Sequence, residues 1–294
     1  MALGAISLDQ VCIAKRALPV ILLAVFWSWE TWQPFFGQRE ERLKHAARNL
    51  AIALFNTVVL AVAFGSVTVF VADWSAENQF GLLNVLSLAD PIRFGLALVL
   101  LDGWMYVWHR ANHVIPFLWR LHRMHHSDRN MDVTTATRFH LGEQVLSSLL
   151  RLGLIPLLGI EVWNLVVYDA LVLAVIMFHH ADVSLGRWDR WLRWLIVTPD
   201  MHKVHHSDQQ PETDSNYSTV LSVWDRLARS FRMRSDPKTI VLGLNEFTAP
   251  AWQGMWGMLK TPFVNPATPS VATPPKNRKP VVLESDDSAL VGQG

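Results

Sequence analysis

Residues 109–126 read HRANHVIPFLWRLHRMHH, and the interpretation of the whole chain depends on this stretch. His109 and His113 are four residues apart, a spacing that puts both side chains on one face of an α-helix. His122 stands three and four residues before His125 and His126, so these three also share a face. The stretch therefore predicts two helical segments that present imidazole rings to a common point.

A second stretch, TPDMHKVHHSD at residues 198–208, repeats the spacing of three and four residues. It contains His202, His205 and His206, and the pair His179-His180 lies between the two stretches. Eight imidazoles from three helical segments, with His180 as a ninth, are enough to surround two metal ions. Neutral imidazole suits Zn, Cu, Fe and Ni, and so many nitrogens exceed the needs of a four-coordinate structural zinc.

Composition restricts the site and its surroundings. The chain has 294 residues, of which 51% are hydrophobic and 17% charged, against about 25% charged in an ordinary soluble domain. Its 14 tryptophans favour a membrane protein, because tryptophan is enriched where lipid meets water. The single Cys12 excludes an intrachain disulfide and a thiolate cluster. A net charge of +1 gives no reason to expect nucleic acid as a partner.

Five apolar stretches predict membrane helices, and they lie at about 17–36, 50–71, 92–108, 145–160 and 162–178. The first three approach the ~20 residues that a helix needs to cross a bilayer. The last two are shorter and meet in a turn near Gly159, which predicts a hairpin; full crossing and partial penetration both stay open at this point. The sequence thus predicts an all-α, multi-pass transmembrane bundle of about three full spans plus a hairpin. A helical cap on the cytoplasmic side would hold the histidine site.

The same pattern divides the chain into four segments. We expect N-terminal anchor helices at 1–92, a histidine-rich core at 93–235, a C-terminal cap or interface segment at 236–261, and a disordered tail at 262–294. The basic segment 39–48 should remain in the cytoplasm under the positive-inside rule, which places every histidine cluster on that side. We therefore expect an integral protein of a bacterial cytoplasmic membrane.

The sequence motifs around the histidines resemble those of the fatty acid hydroxylase/sterol desaturase superfamily, whose members are membrane-bound di-iron oxygenases. The matching motifs are RFHLGE at 138–143, HHAD at 179–182, NYS at 216–218 and WDRL at 224–227, together with the two histidine-rich stretches. The resemblance covers roughly residues 95–232. Leu141 replaces the usual proline and Asp182 the more usual asparagine, but the ligand-type residues remain.

This resemblance implies two iron ions, replaceable by zinc in purified protein, that use dioxygen to hydroxylate or desaturate a lipid or sterol-like substrate. The implied metal ligands are His109, His113, His122, His125, His126, His180, His202, His205 and His206. Supporting or additional ligand roles are expected for His140, His179, Glu143, Asp128, Asp208 and Asn216. The catalytic core is then the segment 93–235.

Attack on an unactivated C–H bond requires a redox metal, because side chains cannot supply so strong an oxidant. The chain contains no dinucleotide motif, haem motif or cysteine cluster. We therefore expect electrons from a separate donor, either a ferredoxin or a b-type cytochrome with its reductase. Two alternatives stay open at this point. One is a histidine-rich membrane metal transporter, which would hold its ligands at the bilayer midplane. The other is a catalytically inactive family member.

Three residues outside the clusters give further predictions. His45 lies in the basic segment, and we expect it to be an ordinary residue whose replacement is silent. Arg151 and Asp169 are the formal charges deep in the hairpin, at equal distances from Ile160. An unpaired charge in a bilayer is costly, so we expect these two side chains to form an ion pair.

Overall fold

The computed structural model describes residues 8–37, 41–265 and 283–284, with side chains for residues 17–37 and 41–265. The described chain is mostly helical and has very little strand, which confirms the all-α prediction. Its helices are α1 Leu8–Trp32, α2 Arg42–Glu77, α3 Leu82–Val85, α4 Asp90–Val114, α5 Pro116–His126, α6 Leu141–Leu158, α7 Val162–His180, α8 Asp189–Leu192, α9 Pro199–His205, α10 Gln210–Thr213, α11 Val223–Leu227 and α12 Met255–Lys260.

Short 3₁₀ turns connect these helices, at Val133–Thr137, Gly186–Trp188, Pro237–Thr239, Asn245–Phe247, Pro250–Gln253 and Thr261–Phe263. Two short strands, β1 Met233–Arg234 and β2 Leu283–Glu284, pair in antiparallel register with Met233 opposite Glu284.

Helices α6 and α7 form the predicted hairpin. Helix α6 ends at Gly159, whose φ of +73° is the left-handed conformation that glycine adopts without strain. A Cβ at this position would lie 2.9 Å from the side-chain nitrogen of Asn84, so glycine is also required by the close approach of α3. The turn near Gly159 is thus confirmed, and its geometry fixes which faces of the two helices meet.

Three helical segments of the described chain are long and apolar enough to cross a membrane: Arg42–Val85, Leu141–Leu158 and Val162–His180. Ala17–Trp32 is a shorter apolar helix. In each of the first two segments, only 11% of an apolar 18-residue stretch is buried within the protein. Their outward apolar faces therefore need lipid, which identifies an integral membrane protein.

Both members of the hairpin are long enough to cross, so length does not restrict them to partial penetration.

Helix α4, whose apolar stretch was expected to provide the third crossing, is not one of these three segments. It carries a charged residue, Asp102, that is buried in the middle of the helix. Its carboxylate accepts hydrogen bonds from the Trp224 indole, the Tyr168 hydroxyl and the Leu221 backbone. The buried charge of α4 is therefore satisfied within the protein, and the crossing expected of this helix stays a prediction.

The C-terminal cap packs on α5 and positions it. Arg123 is buried and donates to the carbonyl oxygen of Thr261 at 2.6 Å, and Arg120 donates to that of Pro262 at 2.8 Å. Residues 262–265, the first residues of the predicted disordered tail, therefore pack on α5. The rest of that tail lies outside the described residues, apart from strand β2.

Candidate metal centre

Four helices point their C-terminal ends at one place in the protein. His109 and His113 lie in the last two turns of α4, and His180 is the last residue of α7. Helices α5 and α9 likewise end in their histidine clusters. The C-terminus of a helix carries a partial negative charge, so this convergence favours a bound cation.

The nine histidines that the sequence singles out as ligands come together in two groups. Within each group one nitrogen of every ring lies within 4.8 Å of the others. The first group, the five-histidine group, consists of His109, His113, His122, His126 and His205. The second, the four-histidine group, consists of His125, His180, His202 and His206.

The two groups are adjacent. The rings of His126 and His206, one from each group, stack with their centroids 4.5 Å apart. His122 and His125, again one from each group, have ring centroids 5.3 Å apart. Neighbouring residues of α5 therefore belong to different groups, which places two candidate metal positions side by side.

The distances between ring nitrogens fit metal coordination. The Nε2 atoms of His109 and His205 are 3.1 Å apart, and the Nε2 atom of His180 lies 3.1 Å from that of His125 and 3.0 Å from that of His202. Two nitrogens bound to one metal at about 2.1 Å and at a right angle are about 3.0 Å apart. The rings are thus spaced as ligands of a shared ion would be.

Histidine ring nitrogens that lack a hydrogen-bond partner also indicate metal binding. A buried polar atom without a hydrogen bond is costly and needs an explanation. His126 and His206 have both ring nitrogens buried without a hydrogen-bond partner among the described residues, and Nε2 of His122 also has none. Nδ1 of His113 lies 3.4 Å from the Asp214 carboxylate, while its Nε2 has no partner. A metal ion at each position would satisfy one nitrogen of each of these rings, so the donor set fits metal binding.

Acceptors outside the rings fix several tautomers. Nδ1 of His122 lies 2.9 Å from the Glu143 carboxylate, and Nδ1 of His109 lies 2.8 Å from the carbonyl oxygen of Tyr217. Each of these atoms faces an acceptor and therefore carries the hydrogen. The opposite nitrogen, Nε2, is then left with its lone pair directed at the centre.

Two more rings are held in the same way by backbone carbonyls. Nδ1 of His205 is 2.6 Å from the Ser215 oxygen, and Nδ1 of His180 is 2.7 Å from the Ile176 oxygen.

Burial sets the charge of these rings. It lowers the pKa of His202, His205 and His206 well below the usual value of 6.5. Repulsion from neighbouring imidazoles lowers the pKa further, chiefly from His179 for His202 and from His206 for His205. Burial has the same effect on the pKa of His125 and His126. These rings are therefore neutral near pH 7, which is the form that binds metal.

The other two predicted histidines lie outside both groups. His140 caps α6 by accepting a hydrogen bond from the Gly142 backbone at 3.0 Å, and its ring faces Phe263. His179 is buried with its ring centroid 3.9 Å from that of His202, a packing contact beside the four-histidine group. Of the predicted supporting acids, Glu143 is the one that contacts a histidine of a group directly.

The remaining predicted residues support the chain around the site. The Asn216 side chain bridges the backbones of Met201 and Arg232, and its φ of +52° holds the turn between Ser215 and Tyr217. Those two residues supply the carbonyl oxygens that orient His205 and His109. Asn216 therefore supports these rings indirectly, by holding the backbone that carries the two oxygens. The Asp208 carboxylate accepts from the Gln209 side chain, and its backbone nitrogen donates to Val241.

Asp128 binds His45 rather than a histidine of either group, and this overturns the expectation that His45 is ordinary. His45 lies in the first turn of α2 and is buried. Its Nε2 is 2.8 Å from the Asp128 carboxylate, and its Nδ1 is 3.2 Å from that of Asp132. Burial alone would raise the pKa of Asp128, but the neighbouring charges of His45 and Arg138 hold it well below its usual range. His45 therefore links α2 to the end of α5, a contact across 83 residues that spacing alone could not reveal.

Sequence reasoning also missed the aromatic walls of the site. The Phe139 ring stacks on His125 with centroids 4.6 Å apart and an interplanar angle of 9°. Trp119 lies 5.0 Å from His113 and 5.4 Å from His126. In the sequence these aromatic residues are marked only by lying next to the histidine motifs. That position does not distinguish an aromatic residue that packs on the site from any other apolar residue.

A cavity of about 370 Å³ connects the centre to the membrane helices. On α7 its wall is formed by Asp169, Val172, Leu173, Ile176 and His180, spaced as one helical face. Histidines of both groups line its other end.

The cavity also contacts Arg151 of α6, whose guanidinium is 2.7 Å from the Asp169 carboxylate. The predicted ion pair of the hairpin is confirmed.

Comparisons with known proteins agree with this geometry. Residues 94–230 match the family described as fatty acid hydroxylase, and the matched region contains both histidine groups. An ornithine lipid hydroxylase from Rhizobium tropici is 28% identical over 196 residues, which cover 66% of this chain and 56% of that protein. The alkylglycerol monooxygenase of Homo sapiens is 27% identical over 238 residues, covering 78% of this chain and 50% of that protein.

A cholesterol 25-hydroxylase from Rattus norvegicus is 22% identical over 157 residues, covering 50% of this chain and 49% of that protein. The chain spans about half the length of the curated relatives it matches. No solved structure is detectably similar to it. The family match over residues 94–230, just under half of the chain, confirms the resemblance drawn from the histidine motifs to the fatty acid hydroxylase family.

Proposed function

We propose that the protein is a membrane di-iron oxygenase that hydroxylates a lipid or sterol-like substrate with dioxygen and externally supplied electrons. One observation carries the proposal: two adjacent groups of buried imidazoles stand at the end of a largely apolar cavity between membrane helices. Desaturation is the alternative outcome, because both reactions begin with removal of a hydrogen atom. The hydroxylases and monooxygenases among the relatives favour insertion of oxygen.

The nine histidines of the two groups are the proposed ligands, and two iron ions are the proposed occupants. When bound, these ions supply the reduction of dioxygen and the cleavage of an unactivated C–H bond. Zinc can take their place in purified protein, because imidazole does not discriminate strongly between the two metals.

The protein's own residues orient the rings and exclude water. Glu143 and the carbonyl oxygens of Ser215 and Tyr217 hold three rings of the five-histidine group. Phe139 and Trp119 cover imidazole faces on the sides of the centre. A dry, aromatic enclosure limits the loss of reactive oxygen species to water.

We place the centre on the cytoplasmic side, where a separate ferredoxin or b-type cytochrome with its reductase can supply electrons. The basic segment 39–48 supports this orientation. Trp188, Trp191 and Trp194 are exposed just after α7, as expected for anchors at a membrane surface next to the histidine end of that helix. Transport of metal is not favoured, because the histidines lie at helix ends rather than within broken helices.

The test is a comparison of membrane lipids from bacterial cells expressing either the protein or its His205→Ala variant, grown in air or without oxygen. Isotopically heavy dioxygen separates the two reactions. A product that gains one labelled oxygen is hydroxylated, whereas a product that loses two hydrogens without gaining label is desaturated. A lipid profile that is the same for both proteins in air, with a competent electron donor present, would contradict the proposal.

A further inference from the structure

The charged pair in the membrane hairpin lies in the wall of the same cavity as the histidines. Arg151 is the eleventh residue of the eighteen in α6, and Asp169 is the eighth of the nineteen in α7. Both are therefore near the middle of segments long enough to span the membrane. Charges at this depth are rare and usually serve a function.

The pair keeps unused hydrogen-bonding capacity. The Arg151 side chain is 32% exposed and the Asp169 side chain 51% exposed. One hydrogen bond joins them, from an Arg151 nitrogen to one Asp169 oxygen. A guanidinium has five N–H donors and a carboxylate has about four acceptor positions, so each side chain can bind a further group. Tyr168, beside them in the cavity wall, already donates its hydroxyl hydrogen to Asp102.

The pair lies at the opposite end of the cavity from the metal ligands. Asp169 is eleven residues before His180 on α7, which corresponds to about 16 Å along the helix. Arg151 is eight residues after Glu143 on α6, or about 12 Å. Between Asp169 and His180 the cavity wall on α7 consists of Val172, Leu173 and Ile176, followed by His179 next to the metal ligands.

We propose that Arg151 and Asp169 form a polar subsite that positions the substrate by a neutral hydroxyl or amide group. This inference rests on the proposed function, because it assigns the far end of the same substrate cavity. A hydroxyl can accept from the guanidinium and donate to the carboxylate at once. A free carboxylate would be repelled by Asp169, and an ammonium by Arg151. The substrate class is therefore a neutral lipid whose polar group lies about 12–16 Å from the oxidised carbon.

A binding experiment without turnover tests this subsite. The probes are hexadecanol, hexadecanoate and hexadecane, which share one chain length and differ at one end. Each competes with deuterated hexadecanol for the detergent-solubilised protein, and occupancy is read by native mass spectrometry. We expect hexadecanol to bind roughly tenfold tighter than either of the others, the scale of a hydrogen bond to a charged group.

The decisive variant is the double replacement Arg151→Leu, Asp169→Leu. Replacing an ion pair by apolar residues of similar size often preserves stability, and it leaves no lone charge in the membrane. We expect hexadecanol to lose its advantage over hexadecane in this variant. Arg93→Leu is the matched control, because Arg93 pairs with Asp90 at 3.0 Å and with Glu161 at 3.5 Å and does not line the cavity. The control should keep the wild-type preference.

Asp169→Asn is a second, gentler test that retains a polar side chain beside Arg151. Removing the negative charge should improve hexadecanoate binding relative to hexadecanol by about tenfold. An unchanged preference among the three probes in both variants would overturn the proposal, and so would an equal weakening of all three. Because these measurements need neither iron nor oxygen, a protein that binds as expected but forms no product would contradict the proposed function alone.

Discussion

The two histidine groups differ in what holds their rings. In the five-histidine group, Glu143 and two backbone carbonyls orient three of the rings from outside. In the four-histidine group, one ring, that of His180, has such an acceptor, and Nδ1 of His125 and His202 has none among the described residues. Ligands held from outside bind a metal more tightly. The five-histidine group should therefore be formed before metal arrives, whereas the four-histidine group depends more on the metal itself.

Removal of one ring from each group has the largest expected effect. His205→Ala in the first group and His125→Ala in the second should each abolish product formation, if two metals act together on dioxygen. Metal content should fall to one ion per chain or fewer, as measured by elemental analysis. Both residues lie outside the membrane segments, so membrane insertion should be unchanged.

His140→Asn is the control for these two variants, since asparagine also caps a helix and His140 lies outside both groups. It should retain metal and activity. Near wild-type turnover of His205→Ala would remove that residue from the site, and an inactive His140→Asn would show that His140 is a ligand after all.

The His45→Ala variant tests the support that both groups share. Asp128 is fully buried and follows α5, which contributes rings to both groups. Loss of His45 removes the ion-pair partner 2.8 Å from the Asp128 carboxylate, and we expect the free energy of unfolding to fall by about 3 kcal/mol. Thermal unfolding in detergent measures the effect. An unchanged midpoint would show that Arg138 and Thr135, which also contact Asp128, are sufficient.

This case also shows how far the sequence can predict the structure. The helical spacing of the histidines, the hairpin and the Arg151–Asp169 pair depend on local periodicity, and the sequence predicts all three. The contact of His45 with Asp128 and the backbone carbonyls beside His109 and His205 depend on how distant segments fold together. Backbone acceptors leave no trace in the residue types, so they could not be predicted.

Helix α4 gives the same lesson. Its apolar composition predicted a membrane helix but not the partners of the charge in its middle, Asp102, which accepts hydrogen bonds from Trp224 and Tyr168. These partners are 122 and 66 residues away, so local spacing could not reveal them.

Glu143→Ala sharpens the comparison between the groups. It removes the acceptor of His122 and should weaken metal binding at the five-histidine group by about 10–100-fold. The four-histidine group should keep its affinity, because Glu143 contacts none of its rings. Metal content measured against free metal concentration should separate into two steps. Equal weakening at both positions would mean that the two groups bind metal as one unit.

Acid should act on the two groups alike, and this is the smallest effect that we expect. Burial lowers the pKa of His126 and His205 in one group and of His125, His202 and His206 in the other. The unfolded chain therefore binds more protons than the folded chain as the pH falls below the ordinary histidine value of about 6.5. The contribution of these rings to stability is complete above that pH and declines as the pH falls towards their folded pKa values.

Metal-free protein should accordingly show a constant unfolding midpoint from about pH 8 to about pH 6.5 and a progressive decrease below it. Bound metal occupies the same nitrogens and competes with protons, so the decrease should begin at a lower pH in metal-loaded protein. A protein loaded at one group only, such as Glu143→Ala at limiting metal, should fall between these two curves. Coincident curves for metal-free and metal-loaded protein would show that the buried rings are not where the metal binds.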